Sequence, residues 1–270
     1  MAANVASDNA SDTAYNAGWT NGSNGGSGFG AWELQTSLQP DGAAGFFVAG
    51  GGNADLNNIA TSGEAWGMYA NEGGSGGNDP QLAGAVRPLT GGSLSVGQSI
   101  LVSMEHGGIQ SGSLNANNPP RVGGWVGFSF NPFGGLLPDP INPFGGINGV
   151  FGFGFQGGAS EYHVYDVVTP SGTPTGIPFT QNGLNVIFTL TSATTYDLDV
   201  TTLGPGGQTY NLSGTLSGTV DTIGIYDRNA EQNDVFFNSI AVVPEPSSMG
   251  LGLIAVAAIA ARRLRRSRRA

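Results

Sequence analysis

Few side chains in this chain could do chemistry, and only one group of them falls together on an extended backbone. In Glu161-Tyr162-His163-Val164-Tyr165, strand alternation puts Glu161, His163 and Tyr165 on one face. Such a face could act as an acid/base pair or hold a single metal ion, or it could be a solvated polar face. His106, in Met104-Glu105-His106-Gly107-Gly108, is expected at a strand end. With His163 it makes up the chain's two histidines, too few for most metal or nucleophile constellations. Glycoside hydrolysis needs two carboxylates about 5–9 Å apart across a cleft. Asp197 and Asp199 flank Leu198 on an alternating stretch and share a face, where solvation or calcium suits them equally well. Asn229, Asn233 and Asp234 offer hard oxygen ligands near a loop, without the spacing of a dedicated calcium loop. The glycine runs sit between strands rather than ahead of a helix, so they cradle no nucleotide phosphate. Trp19, Trp32, Trp66 and Trp125 could stack on sugars. Trp32 lies in an alternating strand and is expected in the core, while Trp19, in a polar stretch, is the tryptophan expected to be available. Together these readings favour a non-catalytic chain with no cofactor and no bound metal.

The elements that must carry these residues are short strands. Trp32, Leu34, Thr36 and Leu38 alternate with polar residues, and apolar segments recur at 45–49 and 64–70. Ser99 to Glu105 alternates Ile100, Val102 and Met104 against Leu101, Ser103 and Glu105. Residues 122–130 and 149–155 read as strands flanking a degenerate repeat, Asn131-Pro132-Phe133-Gly134-Gly135 and Asn142-Pro143-Phe144-Gly145-Gly146. Its turn chemistry makes 131–148 a loop insertion. Leu184, Val186, Phe188 and Leu190, then Tyr196, Leu198 and Val200, alternate cleanly. Strands are also expected at 208–216, 221–226 and 234–242. About a dozen short strands, with turn signals between them and no long helical period before residue 249, predict an all-β, antiparallel, jelly-roll-like β-sandwich over 29–242. Residues 1–28, rich in Asn, Ser, Gly and Ala, are expected to be a mobile N-terminal segment.

Composition supports one core and an extracellular setting. The 270 residues are 39% apolar, with 47 glycines and 15 prolines, which suits many strands joined by tight turns. Cysteine is absent, which removes disulfides and thiolate metal sites. Before residue 262 the nineteen acidic residues meet only Arg87, Arg121 and Arg228, and there is no lysine. Such a surface disfavours anionic partners, nucleic acid among them.

The last 28 residues differ in kind from the rest. Pro244-Glu245-Pro246 breaks any regular element. It is followed by the uncharged run MGLGLIAVAAIAA, with Met249, Leu251, Leu253, Ile254, Val256 and Ile259 as its apolar side chains. As a helix this run is about 20 Å long, shorter than a bilayer core. Arg262, Arg263, Arg265, Arg266, Arg268 and Arg269 follow. They can snorkel to headgroups, lengthen the effective span and hold that end in the cytoplasm. A helix is expected over 247–264.

The ordered triple of Pro-Glu-Pro motif, short apolar helix and arginine cluster resembles the C-terminal sorting signal of the PEP-CTERM family, covering 243–270. The resemblance implies export across the inner membrane, transient retention there through the tail, processing by an exosortase near Pro244-Glu245-Pro246, and delivery to the cell surface or to an exopolysaccharide matrix. The stretches Ala14 to Trp19 and Asn24 to Trp32 resemble the opening of PEP-CTERM ectodomains. Residues 222–227 followed by 233–240 are similar to the final hairpin of concanavalin A-like jelly rolls. Exported chains begin with a basic then an apolar segment, which Met1 to Tyr15 lacks, and Asn4 to Ser7 looks like sequence around a signal-peptidase site. The expectation is that the true start lies upstream. The role expected for the sandwich is structural or adhesive. A carbohydrate-binding, lectin-like module is the first alternative and a polysaccharide hydrolase the second.

Overall fold

The computed structural model describes residues 5–37, 42–53, 55–71, 81–109, 124–131, 149–166, 172–230 and 234–244. In chain order the strands are β1 (Ala6–Asp8), β2 (Glu33–Ser37), β3 (Ala43–Gly50), β4 (Glu64–Asn71), β5 (Leu82–Pro88), β6 (Ser99–His106), β7 (Trp125–Phe130) and β8 (Phe151–Gln156). They continue as β9 (Glu161–Asp166), β10 (Thr173–Pro178), β11 (Leu184–Leu190), β12 (Thr195–Thr202), β13 (Thr209–Thr215), β14 (Thr222–Arg228) and β15 (Val235–Val243). The first sheet is ordered β13-β12-β11-β6-β15-β4-β3, with β1 added beside β15, and the second β10-β9-β8-β7-β14-β5-β2. The pairings are antiparallel, as expected of an all-β sandwich.

Alternation decides which face is buried. On β11, Leu184, Val186, Phe188 and Leu190 are buried while the residues between them are half-exposed. On β8 the sequence Phe-Gly-Phe-Gly-Phe sends Phe151, Phe153 and Phe155 into the core and leaves only glycines on the other face. The centre of the sandwich is aromatic. Phe188 lies 4.8 Å from Phe130 and 4.9 Å from Phe151 between ring centroids, and Phe151 lies 4.9 Å from Tyr196, within the range of favourable aromatic pairs.

Several expectations need correction. The N-terminal segment, read as mobile to residue 28, is built into the sandwich from Val5 onward. Ala6, Ser7 and Asp8 pair with Val242, Ala241 and Ile240. Trp19 is buried, with its ring 5.3 Å from both Trp32 and Phe46. Glycine in this segment serves close backbone approach, because a Cβ on Gly26, at φ +69°, would fall 1.9 Å from the Ser7 carbonyl oxygen. The stretches 222–227 and 233–240 form no hairpin. β14 lies in the second sheet and β15 in the first, and Asn229, at φ +47°, turns the chain between them. Three strands escape an alternation search: β1 is three residues long, β5 is mostly alanine and glycine, and β10 carries two prolines, as an edge strand can. In the loop insertion, Asn131 turns at φ +49° and its side chain accepts from the Asp221 and Thr222 amides. The rest of that insertion and the expected helix 247–264 lie outside the described residues. Among the described residues no helix is long and apolar enough to cross a membrane.

The buried N-terminal segment is held by a polar cluster. Asp8 forms an ion pair with Arg87 and accepts from the Tyr15 hydroxyl. That hydroxyl accepts in turn from Trp32 Nε1 at 3.0 Å. The Arg87 guanidinium lies 4.7 Å from the Phe29 ring centroid and 4.9 Å from that of Trp32, and donates to the Gly30 carbonyl at 2.7 Å. Arg87 belongs to the second sheet and Asp8 to the first, so the pair joins the two layers.

Candidate functional site on the outer face of the second sheet

On β14, Ile223 and Ile225 enter the core, so Gly224, Tyr226 and Arg228 point the other way. The strand register extends this outer face into rows. One runs Gln35, Gly84, Tyr226, Gly127, Gly154, His163 and Pro174. A second runs Glu33, Val86, Gly224, Ser129, Gly152 and Tyr165, and a third Ser37, Leu82, Arg228, Trp125 and Gln156. The floor is glycine and the walls are aromatic. The Tyr226 hydroxyl lies across two of these glycines, since a Cβ would come within 2.7 Å of it at Gly127 and within 2.8 Å at Gly154. Trp125 meets Tyr165 at 5.6 Å between ring centroids, and Leu82, Tyr165 and Tyr226 form an apolar cluster on this face with Trp125 packed against it.

The face continues into an open cleft of about 640 Å³ around the β8–β9 turn, lined by Gln156 to Ser160, Glu161 and His163. Tyr165 and Tyr226 are buried, while Trp125, His163 and Glu161 are half-exposed. Burial raises the pKa of both tyrosines, and the neighbouring Tyr165 raises that of Tyr226 further, so both phenols stay neutral at physiological pH. Glu161 accepts a short hydrogen bond from the Gly176 amide. The His163 Nδ1 atom is buried with no hydrogen-bond partner among the described residues, and its ring lies 6.2 Å from Tyr165.

Glu161, His163 and Tyr165 therefore do share a face. Asp197 and Asp199 lie on β12 in the other sheet, pointing away from its core, where Asp199 accepts from Asn211 Nδ2. The carboxylates of Glu161 and Asp199 thus belong to opposite layers of the sandwich. Asn229 is buried and its Oδ1 accepts from the Gln81 amide at 2.7 Å. Asn233 lies outside the described residues. Asp234 stands near Asp55, with its pKa raised first by burial and then by that charge. No group of three metal-ligating side chains forms among the described residues. His106 sits at its strand end but inside the core, ringed by Phe155, Tyr162 and Phe179, with Nε2 3.1 Å from the Tyr162 hydroxyl.

Sequence reasoning missed Tyr226 and the glycine floor. A signal was present, because strict Phe-Gly alternation through Phe151 to Phe155 leaves one strand face bare. It also missed the fully buried Glu105, whose two carboxylate oxygens accept from the backbone amides of Asn57, Asn58 and Ile59 at 2.9, 2.9 and 3.0 Å. That loop lies far away in sequence, so no local pattern announces it. Pro244 ends the described chain directly after β15. Glu245, Pro246, the apolar side chains from Met249 to Ile259 and the six arginines lie outside the described residues.

Residues 242–268 match the family model of the PEP-CTERM protein-sorting motif. Comparison with curated proteins gives no match. Among solved structures, the chain is similar to the VIP36 exoplasmic/lumenal domain in its Ca²⁺/Man3GlcNAc-bound form, at 8% identity over 79% of this chain and 84% of that one, TM-score 0.43. It is also similar to the lectin from Bauhinia forficata in complex with GalNAc, at 11% identity over 78% and 97%, TM-score 0.40. A third similar structure is the PL-14 alginate lyase from the marine Aplysia kurodai, at 12% identity over 68% and 84%, TM-score 0.42. The chain carries a PEP-CTERM sorting motif on an antiparallel β-sandwich, and the motif implies export and sorting by an exosortase.

Proposed function

We propose that this exported, exosortase-sorted protein is a non-catalytic matrix or cell-surface adhesin whose second sheet binds polysaccharide on its outer face. The observation that carries the reading is the partly exposed Trp125 beside the open cleft that Glu161 and His163 line. Trp125, backed by Tyr165, stands beside His163, Gln156 and Glu161, which suits the mixed apolar and hydroxyl faces of a sugar ring. The acidic surface favours neutral over anionic polysaccharides. The separation of Glu161 from Asp199 supports binding rather than hydrolysis, which needs paired carboxylates across one cleft.

In the proposed sorting step, the tail from Met249 to Ala261 lodges in the inner membrane, the arginines hold its cytoplasmic end, and an exosortase cuts near Pro244-Glu245-Pro246. A glycan array followed by calorimetry on the best neutral oligosaccharide tests the binding. Trp125→Ala should weaken it about tenfold or more with the far-ultraviolet spectrum unchanged. An array without selective binding, or full affinity in that variant, removes the glycan reading and leaves a purely structural role. Intact mass of the secreted protein, with and without a co-expressed exosortase, tests the sorting step independently.

A further inference from the structure

The sorting motif starts inside the folded body. Val242 is buried and pairs with Ala6 on one side and Ile100 on the other, while Val243 pairs with Ser99. Only Pro244 to Ser248 separate β15 from Met249. Five residues span at most about 18 Å fully extended, and a headgroup layer takes up roughly 5–8 Å of that. With the apolar run in the bilayer, this end of the sandwich stays close to the lipid surface.

The same end differs from the rest of the surface. Val5, Val96 and Val243 are the large apolar side chains exposed among the described residues, at 47%, 50% and 39%. Val5 immediately precedes β1 and its amide donates to the Val242 carbonyl at 2.9 Å. Val96 lies in the turn leading into β6, which begins at Ser99, the partner of Val243. The stretches 89–99 and 190–195 at this end carry no charge in an otherwise acidic chain. Three carboxylates flank this end: Asp221, half-buried and accepting from Thr222 Oγ1, Asp166, half-buried near Tyr196, and the exposed Asp197, level with Ser99 through Thr189. The cleft lies at the other end of the strands: His106, which packs on Phe155, closes β6 roughly 23 Å from Ser99.

We propose that this valine-tipped end docks on the lipid surface of the inner membrane, its three valines entering the headgroup–acyl boundary, and that the cleft is thereby held facing away from the bilayer. Apolar tips on stretches that carry no charge of their own gain by entering the boundary, while the flanking carboxylates favour a zwitterionic over an anionic lipid surface. The inference rests on the reading of the tail as a membrane segment.

The absence of cysteine allows clean single labels. The full chain, carrying an environment-sensitive fluorophore on Val5→Cys, Val96→Cys, Ser160→Cys or Ala257→Cys, is reconstituted in phosphatidylethanolamine/phosphatidylglycerol vesicles with brominated acyl chains. Labels at 5, 96 and 257 should be quenched about twofold or more and the label at 160 should not, and adding Val96→Asp should relieve the quenching at 5. If 257 is quenched while 5 and 96 behave like 160, docking is wrong and the tail reading stands. If 257 is also unquenched, both fall. Labels at 5 and 96 that become shielded only when an exosortase is co-reconstituted overturn lipid docking in favour of a protein partner.

Discussion

Arg87→Met should lower the unfolding free energy by about 3–5 kcal/mol, the usual cost of leaving one member of a buried ion pair uncompensated. Asp8 and Arg87 are both fully buried at the side chain. Burial is the largest influence on Asp8 and raises its pKa, against the lowering effects of Tyr15 and Arg87. Without the guanidinium, Asp8 would face the core held by the Tyr15 hydroxyl and the Asn9 amide alone. Methionine fills similar space over Phe29 and Trp32 but cannot donate to the Gly30 carbonyl, the Asn24 side chain or Asp8. Urea denaturation of Arg87→Met beside Asp8→Asn/Arg87→Met checks the argument. The double variant should recover part of the loss, because a neutral amide costs less to bury than a lone carboxylate. A single-variant loss under about 1 kcal/mol, or no recovery in the double variant, would show that the pair does not hold the two layers together.

That cluster marks where the sequence stops being legible. The strands from Leu184 to Val200 could be read directly, because each buries one face against a core and exposes the other, so their alternation is strict. The N-terminal segment misleads because composition is ambiguous. Glycine and asparagine signal mobility when nothing packs on them, but here Gly26 and Gly28 are needed for backbone to lie against backbone at β1. Arg87 gave a hint, as a lone cation within the otherwise uncharged Leu-Ala-Gly-Ala-Val-Arg-Pro, although its partner 79 residues away could not be named. On the candidate face, periodicity did place Glu161, His163 and Tyr165 together, since β9 alternates regularly. It could not show that β14 and β7 bring Tyr226 and Trp125 alongside them, because strand order within a sheet is set by long-range pairing. The Pro-Glu-Pro signal was legible for the opposite reason: its three parts are defined by residue type and order along the chain.

Acid should unfold the protein through His106. Burial pushes its pKa from 6.5 down to about 3, because the imidazolium would sit among Phe155, Phe179 and Tyr162 without water. The unfolded chain takes up the proton near pH 6.5 and the folded chain only near pH 3. Stability from this residue is therefore complete above the upper value and is lost as pH falls through the window, at roughly 1.4 kcal/mol per pH unit. Asp8 acts in the opposite sense, since a carboxyl whose pKa is raised by folding binds its proton more readily in the folded state, and it offsets part of the loss as pH falls. In His106→Phe the ring stays within its aromatic cage while the titration disappears, and the Tyr162 hydroxyl loses Nε2 as a partner at every pH. The variant should start less stable at pH 7 and then decline with a shallower slope between pH 6 and 4. Urea midpoints at half-unit intervals measure both curves. Parallel declines would mean that His106 is charged in the fold or reaches solvent, and would remove it as the source of the acid sensitivity.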